Sequence, residues 1–401
     1  MLNLNKLFAQ VAALGVYQQS RACNLAAALS AAKDQVKLVS GDINAFARKI
    51  ENATTSWLVA IPTSENPFMA RPPATCPESY AALSTDGSQV NPDRHGPHRA
   101  LLINIGQVEL GYGEFLGYRF NSEPTLLFEE EDIIRRFGGE EREVSGGVLA
   151  ALRQKMEFEA LSNMIDACGK KPAIALVDGT LILWSLETNP ERLQNLSGDD
   201  IKRQSFSSLM RLLAGGKEQG FPVASYISSP GSPDVINALK VSLCPSELVD
   251  CDKCLYKSTG FNETLPCAKI NGVTDANLFR HLLQEGERSA LFESGSQILK
   301  AYGKETIFFF YLNVGREIAR IEIPGWVARS KEAIDLVHAI CLDQAEKGFG
   351  YPIAIAEAHE QAVVKSADKN MFDQLISRAL IKQGTPVVES RKALRKRGGF
   401  I

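Results

Sequence analysis

Apolar residues in the first sixty positions recur at helical spacing. Leu4, Leu7, Phe8, Val11 and Leu14 share one face, and Ala- and Leu-rich segments run on to a turn near Ser40-Gly41-Asp42. A loop rich in Pro and polar residues, 62–79, closes this N-terminal helical arm, placed at residues 1–65. Beyond it the period changes. Segments 80–85, 99–112 and 116–128 read as strands, the last two joined across Gly113. Segment 144–168 reads as a helix with the stripe Leu149, Leu152, Met156, Ala160, Leu161 and Met164. A strand at 172–177 ends on Asp178-Gly179-Thr180, a helix follows at 201–213, and a strand at 222–227. After a cysteine-bearing insertion at about 240–270, strands are predicted at 306–314 and 317–323, with helices at 331–347 and 353–365. The pattern specifies an α/β body over 78–385 and a tail at 386–401.

Composition changes this picture little. The chain has 401 residues, 45% hydrophobic and 23% charged, with a net charge of −3, which excludes a disordered or histone-like protein but not a local nucleic-acid groove. The apolar run 306–314 is too short to span a membrane. The N-terminus mimics a weak signal peptide, but Gln10 breaks its apolar stretch, so an amphipathic helix is expected there. Eight cysteines are too few for a secreted disulfide framework, and a cytoplasmic protein is expected.

The candidate chemistry lies in the order of three acidic residues. Asp86 ends the first strand of the body, Glu157 or Glu159 lies mid-helix, and Asp178 ends a later strand. If the first and fourth strands pair in parallel with the helix on their face, three carboxylates meet at one sheet end. This is the arrangement of ribonuclease H-like mixed sheets flanked by helices, where such a cluster holds two divalent metals roughly 3.5–4 Å apart. Carboxylates are the ligands that Mg²⁺ or Mn²⁺ requires. Each Asp-Gly pair is also an ordinary turn signal, and a helical Glu is often a surface charge. Glu157 and Glu159 cannot face the same partner. Glu157, beside Ala160 and Leu161 on the core side, is the first choice and Glu159 the second.

The ordered set Thr85-Asp86-Gly87-Ser88-Gln89, Leu152-Arg153 through Glu157 to Ala160, and Leu176-Val177-Asp178-Gly179-Thr180-Leu181 resembles the NurA nucleases. Arg320-Ile321-Glu322-Ile323-Pro324, Tyr351-Pro352 and Ala358-His359 extend the resemblance over most of residues 80–370. It implies a ribonuclease H-like fold and a manganese-dependent DNA exonuclease and single-strand endonuclease. It also implies a homodimer docked on the HerA hexameric translocase, and functional residues matching Asp86, Glu157, Asp178, Tyr351 and His359. Such nucleases process DNA ends in double-strand break repair. From the residues alone, His359 reads as a polar surface histidine ahead of a metal or scissile-phosphate contact. Arg320 and Glu322 alternate with Ile321 and Ile323, so they are either phosphate or interface residues or simply lie on a strand's outer face.

Cys244, Cys251, Cys254 and Cys267 form C-x6-C-x2-C-x12-C, a ligand set open to Zn²⁺, to an iron–sulfur cluster, or to no metal. The resemblance adds nothing here. Arg391, Lys392, Arg395, Lys396 and Arg397 make the tail basic, either a DNA-backbone contact or a solvated end. The functional alternatives are a metal-dependent DNA nuclease and a catalytically silent nuclease fold that binds DNA ends or scaffolds a motor. A P-loop phosphotransferase is disfavoured, because no G-x-x-x-x-G-K-[ST] occurs.

Overall fold

The computed structural model describes residues 3–63, 66–91, 100–129, 134–137, 140–143, 146–184, 201–254 and 265–385. In chain order its elements begin with α1 (Asn5–Val39), α2 (Ile43–Glu51), β1 (Ala60–Pro62), β2 (Tyr80–Val90), β3 (Leu101–Tyr112) and β4 (Gly117–Leu127). Then come β5 (Ile134–Phe137), β6 (Glu140–Glu143), α3 (Gly146–Ala167), β7 (Ala173–Asp178), α4 (Ile201–Gln219), β8 (Val223–Ile227), α5 (Asp234–Leu243) and α6 (Asp275–Leu282). The last are β9 (Phe292–Ser294), β10 (Ile307–Asn313), β11 (Ile318–Pro324), α7 (Lys331–Lys347), α8 (Ile353–Ala362) and α9 (Ser366–Lys382). Among the described residues, no helix is long and apolar enough to cross a membrane.

The chain divides into two units. Unit one holds Met1–Thr75 and Tyr226–His338, and unit two holds Cys76–Ser225 and Ala339–Ile401. The N-terminal helices do not stand apart as a separate arm. Ala28, Ala32, Val36, Phe46 and Ile50 are buried in one core with Val235, Leu239, Phe279 and Phe309 of the same unit. The stripe read at the start of α1 is not buried, since Leu4, Phe8, Val11 and Leu14 all stay exposed. Asp42 caps α2, its side chain accepting from the Ala45 N–H at 2.9 Å, which fixes the turn after α1. Strands β1, β9, β10 and β11 are antiparallel neighbours in this unit, and β11 is buried along its whole length.

Unit two carries the carboxylates on a mixed sheet flanked by helices. β2 pairs antiparallel with β3, β3 antiparallel with β4, and β2 parallel with β7, which β8 follows on the far side. The central strand β2 is buried over most of its length. Leu149 of α3 is buried with Leu101, Ile103 and Ile105 of β3, while Leu152, Met156 and Ala160 pack against that cluster. Ala354, Ile355, Ala358 and Ala362 of α8 are also buried.

Register sets the faces. Asp86 is paired with Gly106, so both project to one side of the sheet and Gly87 to the other. A Cβ at Gly106 would meet the Ala358 carbonyl at 2.2 Å, and one at Gly87 would meet Glu157 Oε1 at 2.5 Å. The two glycines therefore admit α8 on one side and α3 on the other.

Candidate active site

The sequence placed Asp86 at a strand end, but β2 runs four residues beyond it to Val90. What ends there is the neighbour. Parallel pairing stops at Thr85↔Val177, and Asp178 is the last residue of β7. Asp86 thus emerges one residue past the paired end of β7, beside Asp178, and the Asp86-Gly87 pair is strand rather than turn. At Asp178 the chain does turn, through Gly179 at φ +86°. No hairpin follows among the described residues, since Leu181, Ile182 and Leu183 are buried without forming a strand.

Asp86, Glu157 and Asp178 line one cavity of about 360 Å³ with Thr85, Arg153 and Gln154. Thr85 Oγ1 donates to the Glu157 main-chain carbonyl at 3.0 Å, tying α3 to β2. Arg153 Nη1 donates to the Gly87 carbonyl at 3.1 Å, and its Nε lies 3.3 Å from Glu157 Oε1. That ion pair is too poorly aligned for a hydrogen bond, so Glu157 Oε1 and Arg153 Nε are both buried with no hydrogen-bond partner. Burial pushes the Glu157 carboxyl up to about 7, Arg153 opposes this, and Asp86 and Asp178 reinforce it. Asp178 is raised too, by burial first and by Asp86, against hydrogen bonds from Tyr351 and the Gly179 backbone. Glu159 points elsewhere. It accepts from Ser208 Oγ at 3.0 Å, across to α4, and pairs loosely with Lys155.

Two more groups close on the aspartates from the segment around α8. Tyr351 OH donates to Asp178 Oδ1 at 2.8 Å, and His359 Nδ1 lies 2.7 Å from Asp86 Oδ2. Because a carboxylate only accepts, this contact places the proton on Nδ1. Asn104 holds the end of α8 by donating to the Gln361 and Ala362 carbonyls at 3.1 and 2.8 Å. Ser122 Oγ fixes that amide by donating to its Oδ1 at 3.0 Å, and Ser88 Oγ also donates to Ala362. Arg153, Asn104 and Ser88 were not picked out as site residues from the sequence. The available signal was Gly87 and Gly106, since a glycine inside a strand marks a close approach.

Arg320 does not serve as a phosphate or interface contact. It is 3% exposed in unit one, paired with Asp234 at 2.7 Å and Glu322 at 3.0 Å, and its guanidinium lies 3.6 Å from the Phe309 ring centroid. Alternation suggested an outer face, but β11 is buried on both of its faces. Arg391, Lys392, Arg395, Lys396 and Arg397 lie outside the described residues. The four candidate cysteine ligands are free thiols around a second cavity, in unit one. Burial raises the Cys267 thiol, and the nearby Cys244 and Cys254 thiols add to the rise.

Two strand carboxylates, Asp86 and Asp178, and one from α3, Glu157, thus line one cavity at an end of the mixed sheet, with Tyr351 and His359 on the aspartates. A family model, the NurA domain, matches residues 81–364. The chain belongs to the NurA nuclease family. Among solved structures, it is similar to the NurA nuclease from Sulfolobus solfataricus, at 12% identity over 78% of this chain and 88% of that one, TM-score 0.48. It is also similar to a NurA bound to dAMP and manganese, at 11% identity over 81% and 91%, TM-score 0.39. A NurA with manganese gives 11% identity over 76% and 90%, TM-score 0.40. No curated protein matches the chain.

Proposed function

We propose that this protein is a metal-dependent deoxyribonuclease. In this reading it hydrolyses phosphodiesters as a 5′–3′ exonuclease and single-strand endonuclease during DNA end processing for double-strand break repair. It works as a cytoplasmic homodimer with a HerA-type translocase. The observation that carries the catalytic part is the convergence of Asp86, Glu157 and Asp178 on one cavity, with a buried Glu157 oxygen that no hydrogen bond satisfies.

The donor set has the chemistry of a Mn²⁺ or Mg²⁺ site, because three hard carboxylates line one cavity and two of them, Glu157 and Asp178, are pushed toward protonation. Among the described residues no three such donors already stand in metal-holding geometry, so the carboxylates would have to reorient to bind an ion. Asp86, Glu157 and Asp178 would hold the ion. When bound, it supplies charge neutralisation at the scissile phosphate and a more acidic attacking water.

The chain's own groups prepare this. Tyr351 fixes Asp178 by donating to its Oδ1. His359 orients Asp86 while its side chain remains 63% exposed, available to a phosphate oxygen or a leaving-group proton. Arg153 restrains Glu157 against repulsion from the two aspartates.

The test is cleavage of end-labelled single- and double-stranded DNA with Mn²⁺, Mg²⁺ or EDTA. Cleavage with Mn²⁺ that EDTA abolishes is expected. DNA-end binding without cleavage in any divalent ion would instead identify the silent scaffold.

A further inference from the structure

Cys244, Cys251, Cys254 and Cys267 belong to segments far apart in their fixing contacts, yet all line one cavity of about 300 Å³. Cys244 caps the end of α5, its N–H bonded to the Val241 carbonyl at 3.2 Å. Cys251 donates its N–H to the Thr54 carbonyl at 2.9 Å. Between Cys251 and Cys254 the chain turns tightly, because Asp250 Oδ1 accepts from the Asp252 and Lys253 N–H groups at 3.1 Å each. Cys267 lies on the 3₁₀ turn Pro266–Ile270. Four independent anchors thus hold the backbone of these residues around one space. The remaining four cysteines do not line it: Cys168 and Cys341 are buried in unit two, Cys76 is half-buried in unit two, and Cys23 is exposed.

We propose that these four cysteines form a structural thiolate site for one metal centre, a zinc ion or an iron–sulfur cluster. The cavity walls suit it. Val241, Leu248 and Val249 give an apolar surround, while Lys240 lines the same space and Lys253 there is paired with Asp250 at 3.2 Å. Four thiolates around Zn²⁺ leave two negative charges, which the Lys240 ammonium offsets in part. Among the described residues the thiols line the cavity without meeting in ligand geometry. Metal–sulfur bonds of about 2.3 Å would require the four side chains to turn into the cavity they line. The ligands are soft, so this centre is chemically distinct from the carboxylate site, and each metal selects its own. The site does not depend on the nuclease reading.

The experiment is elemental analysis, with acid-labile sulfide and visible absorbance, of the full chain purified without oxygen or chelator. An Asp86→Asn/Asp178→Asn background removes the carboxylate cluster from the count. About one zinc per chain, or iron with sulfide and a sulfur-to-iron absorbance band, supports the site and separates its two forms. That content should fall to background in Cys254→Ser/Cys267→Ser. Where this variant fails to fold, organomercurial titration of the unsubstituted protein replaces it, and metal release should track thiol modification. A protein purified with neither metal above background overturns the proposal, as does metal release independent of thiol modification.

Discussion

Two carboxyl groups in this molecule, Glu157 in unit two and Asp275 in unit one, are each pushed by burial up to about 7. Their surroundings differ in kind. Asp275 accepts from the Val235 and Ile236 N–H groups at 2.9 and 2.8 Å and from Tyr311 OH at 2.7 Å. Beside it, burial alone would drive Arg320 toward the neutral form, but Tyr311, Glu322 and Asp234 reverse that and keep it charged. Asp275, Asp234 and Glu322 each have hydrogen-bond or ion-pair partners within this network, although Asp234 also repels Asp275. Glu157 has one poorly aligned arginine and an oxygen without a hydrogen bond, at the wall of a cavity it shares with two aspartates. A displaced pKa therefore does not by itself mark a functional site. An unmet donor set at an open cavity does.

The largest expected effect is on chemistry. Asp86→Asn or Asp178→Asn should lower Mn²⁺-dependent cleavage by on the order of 10³-fold, since a metal's charge stabilisation is worth several kcal/mol. The unfolding midpoint should hold or rise, because each change relieves repulsion in the metal-free cluster. Near-normal cleavage by either variant in a gel assay would refute the assignment.

The helix rotation gives the next contrast. Glu157→Gln should cut cleavage at least about 100-fold, roughly 2.7 kcal/mol, whereas Glu159→Gln, which keeps an acceptor for Ser208 and gives up the loose pairing with Lys155, should change it a few-fold. Reversed phenotypes would mean that the wrong carboxylate was chosen.

In unit one the loss should be in stability. Arg320→Met strands Asp234 and Glu322 in the interior and should cost about 3–5 kcal/mol in denaturant unfolding. A stable Arg320→Met protein with weakened DNA binding would restore the phosphate-contact reading.

The smallest effect is on pH dependence. Glu157 has a folded pKa raised to about 7 from 4.5, so the folded state retains its proton longer. Its contribution to stability is therefore full below about pH 4.5 and is lost as pH rises through about 7. The metal-free protein should lose a few degrees of melting temperature across that window, and Glu157→Gln should flatten part of the slope. Asp275 adds a slope of the same sign that Mn²⁺ should leave untouched.

Much of the architecture was legible because β10, β11 and α7 carry long, consistent patterns between clear breaks. Glu157 was legible from its place beside an apolar stripe. α5 was not, since burial of Val235, Ile236, Ala238, Leu239 and Val241 leaves no polar face to give a period. Arg320 was misplaced for a related reason, as alternation means an outer face only where one face of the sheet meets solvent. Arg153 and Asn104 act through contacts with residues distant in sequence, and no local spacing encodes those.

The most direct measurement of the central claim is Mn²⁺ binding itself, followed by calorimetry or electron paramagnetic resonance at pH 8 without DNA. The unsubstituted protein should bind Mn²⁺, and Asp86→Asn/Asp178→Asn should lose that binding while Arg320→Met, if folded, retains it. Undiminished Mn²⁺ binding by the double aspartate variant would contradict the claim that these carboxylates form the metal site.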